Sequence, residues 1–63
     1  MINTLESYNE QGKKASQAMK HGDYARYTFH SGYYKKMLQL ESNEDGIKAT
    51  KSYNQGYKHR KQD

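Results

Sequence analysis

Three histidines, His21, His30 and His59, are the side chains of this 63-residue sequence best suited to moving a proton near neutral pH. Acid–base or nucleophilic catalysis would need such a ring beside a Ser, Cys or carboxylate. None has such a partner at an interpretable spacing, so the three read as a helix-end cation, an interfacial ring and a tail residue. Carboxylates cluster once, at Glu41, Glu44 and Asp45, without the oxygen-ligand pattern of a calcium loop, and this stretch reads as a solvated turn. No phosphate-cradling glycine loop is present. The absence of Cys removes disulfides and thiolate metal ligands and fits a reducing compartment. The expectation is a protein that is not an enzyme and uses no cofactor and no metal.

Charge supplies a second chemistry. Over residues 1–46 the cations and anions cancel, so the net charge of +4 resides in residues 47–63, which carry Lys48, Lys51, Lys58, Arg60 and Lys61 against Asp63. Those cations could neutralise phosphates while Tyr53 and Tyr57, interleaved with them, stack on bases. Weak, non-specific nucleic-acid binding is therefore the competing functional reading. No helix shows an exposed face rich in Arg, Asn and Gln, which argues against reading a groove by sequence. The plainer reading of the same segment is a solvated tail.

The richest stretch is Asp23 to Glu41, which holds most of the large apolar side chains. At about 100° per residue in a helix, Phe29, Tyr33, Met37 and Leu40 form one stripe and Tyr24, Tyr27, Tyr34 and Leu38 a neighbouring one. Together they span roughly 200°, twice what a one-sided surface helix buries. One intrachain neighbour covers one stripe, and which one stays open at this point. The other calls for a second molecule. Aliphatics are few and tyrosine is abundant, seven in all, a ring type suited to half-wet interfaces. A short chain also hides little surface by itself. These features point to a homodimer, or to a binding module for another protein, with Tyr24, Tyr27, Phe29, Tyr33, Tyr34, Met37, Leu38, Leu40, Ile47 and Tyr53 as candidate dimer or partner interface.

The elements that must position these residues follow from local signals. Asn3 and Glu6 read as a capping box that opens a first helix over about 4–21. Its seam is Leu5, Tyr8, Gly12, Ala15 and Met19, and Gly12 on a buried face predicts that a bulky ring approaches the backbone there. Lys20 and His21 suit a helix C-terminus, Gly22 a left-handed C′ position, and Asp23 the cap of a second helix over about 24–41. So short a connection makes an antiparallel helical hairpin. Gly32 predicts a bend in the second helix. The run from Ser42 to Gly46 reads as a breaker that ends the hairpin. Beyond it, Ile47, Ala49, Lys51 and Tyr53 alternate with Lys48, Thr50 and Ser52, which predicts a short strand over about 47–53. A third helix using Ala49, Tyr53 and Tyr57 is the alternative. A lone strand needs a partner, and its own copy across a two-fold axis would supply one. Ser7-Tyr8-Asn9 before Gln11-Gly12 is echoed by Ser52-Tyr53-Asn54 before Gln55-Gly56, too briefly to argue a duplication.

The predicted class is mainly α: an antiparallel helical hairpin with a short C-terminal strand in an intertwined homodimer. A single domain covers residues 1–56, followed by a disordered basic tail, 57–63. No apolar run reaches the roughly 20 residues of a membrane span, and MINTLESYNE lacks a basic start and an apolar signal core. The expectation is a soluble, cytoplasmic protein with no membrane partner.

The chain as a whole, above all MINTLESYNEQGKK and YARYTFHSGYYKKM, resembles the small early protein encoded in the exonuclease-to-excisionase region of lambda-like temperate phages. The resemblance implies an early protein of the host bacterial cytoplasm that favours lytic over lysogenic development, through an unidentified host or phage protein. It also implies a small dimeric fold of two helices and one strand. It carries over no catalytic residues.

Overall fold

The computed structural model describes residues 1–58, and it is a bundle of three helices: α1 (Leu5–Lys20), α2 (Tyr24–Gln39) and α3 (Asn43–Lys58). The helical hairpin is present as expected. Gly22 takes the left-handed conformation, φ 72°, that lets the chain leave α1 and turn at once into α2. Asp23 caps α2 by accepting from the Arg26 amide at 3.1 Å. The cap of α1 is Thr4 and not Asn3: the Thr4 hydroxyl accepts from the Ser7 amide at 3.1 Å, while the Asn3 amide is directed to Glu41.

The predicted strand over 47–53 is a helix. Its alternation was ambiguous because two steps of a strand equal one i, i+4 step of a helix, so Ala49 and Tyr53 satisfy both periods. Ile47 and Lys51 separate the two. A strand would align them with Ala49 and Tyr53, yet both are exposed while Ala49 and Tyr53 are buried. The breaker residues start the helix: the Ser42 hydroxyl accepts from the Asp45 amide at 3.3 Å, and Glu44 and Asp45 occupy the first turn, where carboxylates complement the dipole. Since α3 satisfies its own backbone, the argument for pairing two strands across a two-fold axis falls away. The helix also runs through Tyr57 and Lys58, so these two do not belong to a tail. His59, Arg60 and Lys61, named as tail or contact residues, lie outside the described residues.

α1 is the central element, packing on α3 most extensively and on α2 next. Contacts rise together along α1 and α3, Leu5 with Ser52 and Asn9 with Gly56, so these helices are parallel. Along α2 they run the other way, Gln11 with His30 and Tyr8 with Tyr34. The α1–α3 crossing is built on two glycines. A Cβ on Gly12 would overlap the Tyr53 carbonyl, and one on Gly56 would overlap the Asn9 carbonyl. Each glycine thus receives the carbonyl three residues before the other, a local quasi-two-fold arrangement of the two glycines. Gly12 is on the buried face as expected, against the backbone of α3 and not a ring.

Tyrosines fill the remaining wedge. Tyr34 stacks on Tyr53 at 3.8 Å, meets Tyr8 edge-on at 6.0 Å, and donates its hydroxyl to Thr50 Oγ1 at 3.1 Å. Ala15, Met37 and Ala49 complete the core, and Tyr27, Leu38 and Tyr57 pack on its margin.

Candidate contact surface on α2

The core takes a diagonal selection from α2 and leaves the rest outside. Tyr27, Tyr34, Met37 and Leu38 recur at the heptad spacing that faces α1 and α3. Tyr27, Tyr34 and Leu38 belong to the predicted Tyr24 stripe, and Met37 alone to the Phe29 stripe. Of the ten candidate interface residues, Tyr34, Met37 and Tyr53 are buried in their own chain and Tyr27 and Leu38 are half-buried there. The other five, Tyr24, Phe29, Tyr33, Leu40 and Ile47, are exposed.

Phe29, Tyr33 and Leu40 share the outer face of α2, with Lys36 among them. They remain 66%, 49% and 61% exposed. The Phe29 and Tyr33 rings lie parallel, 6°, with centroids 6.4 Å apart, and flank a shallow dent with Thr28, Gly32 and Lys36. A Cβ on Gly32 would meet nothing within 4 Å, and α2 is continuous through it. Ile47 stands near the C-terminal end of α2, beside a dent formed with Leu38, Glu41 and Thr50. Tyr24 lies at the start of α2, off the Phe29 row.

His21, His30, Glu41 and Asp45 hold structural positions. His21 is the C-cap of α1, the helix-end role expected of it. His30 Nδ1 lies 2.8 Å from Gln11 Oε1, and burial, with Lys14 and Arg26 nearby, lowers its pKa below the ordinary 6.5. Glu41 was not legible as an anchor, and no local signal marks it, because its partners are more than thirty residues away. Its carboxylate accepts from the Tyr8 hydroxyl at 2.7 Å, the Ile2 amide at 2.9 Å and the Asn3 amide at 3.0 Å. The Tyr8 bond, helped by the two amides, holds its pKa down at about 2. Burial first, and then Glu41, push Tyr8 up to about 12. Asp45 pairs with the N-terminal ammonium at 3.4 Å. Among the described residues no group of three or more His, Cys, Asp or Glu is placed to hold a metal ion.

The candidate nucleic-acid contacts divide. Lys48 and Lys51 line a groove between α1 and α3 with Leu5, Glu6 and Asn9, while Lys58 ends α3. The Tyr53 ring is enclosed against Tyr34, so it presents no face to a base. No helix among the described residues is long and apolar enough to cross a membrane. Compared with family models, curated proteins and solved structures, the chain matches none of them.

Proposed function

We propose that this protein acts without catalysis, through protein contacts made by the outer face of α2, and that its first partner is a second copy of itself. The observation that carries the reading is the exposed Phe29, Tyr33 and Leu40 row, which three packed helices leave uncovered. These side chains present roughly 300 Å² of apolar surface, a patch size that on a small protein commonly marks a contact. Aromatic rings grouped in this way are the usual energetic centre of protein interfaces. An early phage regulator that favours lytic development, working in the host bacterial cytoplasm on a host or phage protein, is the role the sequence resemblance supports.

Sedimentation over a wide concentration range tests this. The native chain is expected to form a dimer, and Phe29→Glu and Tyr33→Glu each to weaken it by about a hundredfold or more, since each ring would be buried twice per dimer. Helicity should persist, because both rings are exposed within their own chain. A monomer at every concentration, or a dimer indifferent to both charges, contradicts the proposal.

A further inference from the structure

We propose that the cleft at the α1–α2 turn, where Lys14, His21, Arg26 and His30 converge, is a binding site for a phosphate group. α1 supplies Lys14, the turn His21, and α2 Arg26 and His30, and Gln17, Ala18 and Asp23 complete the lining. Two helices with a tight turn between them thus bring four nitrogen-bearing side chains that are ionised, or ionisable near neutral pH, to one concavity. The single acid is already engaged: Asp23 caps α2 through the Arg26 amide at 3.1 Å and pairs with Arg26 Nε at 3.4 Å. Lys14 has no acidic partner within 4 Å among the described residues. Arg26 keeps further guanidinium donors for a second acceptor, the forked geometry that suits phosphate oxygens.

His30 makes the site responsive to its ligand. Gln11 Oε1 lies beside Nδ1, so the neutral ring carries its proton there and Nε2 is the nitrogen free to take up another. The charged groups facing this ring are Lys14 from α1, His21 and Asp23 from the turn, and Arg26 from its own helix. Burial first, and then the positive charges of Lys14 and Arg26, disfavour its protonation. A phosphate seated between them reverses that bias. The ring then takes a proton from solvent and adds a further positive charge to the site. This is independent of the α2 outer face, and of the basic segment first suspected of meeting nucleic acid.

The test is histidine-ring and backbone-amide NMR of the full chain, titrated with inorganic phosphate at fixed ionic strength with chloride as the balancing anion. The expected result is a rise of about one unit in the His30 pKa, with amide shifts confined to the α1–α2 turn and the first turns of α2. Lys14→Gln and Arg26→Gln change exposed side chains, so the fold should survive, as circular dichroism will verify. Each should weaken phosphate binding by about tenfold and abolish the rise. A parallel titration with oligothymidylate separates the sources. The same shifts at lower concentration than phosphate requires identify a nucleic-acid phosphodiester, and shifts with phosphate alone identify a phosphomonoester; either upholds the site. No His30 response to either ligand, or a response unchanged in both variants, overturns it.

Discussion

Glu41 accepts from the Tyr8 hydroxyl and from the Ile2 and Asn3 amides, and the titration of Glu41 and Tyr8 sets the pH limits of what these bonds contribute. The Glu41 pKa lies near 2 in the folded chain against an ordinary value of 4.5. Acid therefore protonates the unfolded chain first. The stabilising contribution is complete above about pH 4.5 and is lost as pH falls toward 2. Tyr8 has the opposite sign: raised from 10.0 to about 12, it contributes fully below pH 10 and loses that contribution as pH climbs toward 12. Thermal melts across both flanks should show these declines, and Glu41→Gln should flatten the acid one. An equal acid slope in the variant would assign the effect to other carboxylates. Ser16 makes a second prediction. It is fully buried, and its hydroxyl has no hydrogen-bond partner among the described residues. Ser16→Ala removes that unsatisfied group and improves helix propensity, so it should stabilise the chain by about 1 kcal/mol in chemical denaturation.

At the scale of elements, the glycines discriminate between faces. Gly12 and Gly56 let α1 and α3 meet backbone to backbone, whereas Gly32 faces open space. Gly12→Ala and Gly56→Ala should each destabilise by about 1–3 kcal/mol through overpacking, despite the gain in propensity. Gly32→Ala should stabilise by about 0.5–1 kcal/mol. Denaturation midpoints of the three variants check this, and a uniform gain would mean that α1 and α3 do not cross at the glycines. Much of this was legible in the sequence. Gly22 and Asp23 specified the hairpin turn because their chemistry is local, and Gly12 announced a close approach. The identity of its neighbour was not legible, because the matching Gly56 lies forty-four positions away and its echo carries no statement of pairing. α3 was misread for a related reason. Ala49 and Tyr53 fit both periods, and only the exposure of Ile47 and Lys51 decides between them.

At the scale of the molecule, three of the seven tyrosines do what aliphatic side chains do in larger cores. Tyr8, Tyr34 and Tyr53 make the centre, and two of their hydroxyls are hydrogen-bonded to Glu41 and Thr50. A core so small leaves α2 with an apolar side facing outward. The sequence showed that α2 carried more apolar surface than one neighbour could cover, and the structure shows that two neighbours still leave Phe29, Tyr33 and Leu40 uncovered. Which stripe stayed outside was not legible, since either could have met the other helices; Tyr27, Tyr34 and Leu38 of one are covered, and Phe29, Tyr33 and Leu40 of the other are not. Whether this face is the place of contact is tested by a dilution series of backbone-amide NMR spectra of the native chain. Concentration-dependent shifts are expected at Phe29, Tyr33, Lys36 and Leu40, with the amides of Gly12 and Gly56 unmoved. Shifts that map to the α1–α3 side, or spectra that do not change while sedimentation reports a dimer, would contradict it.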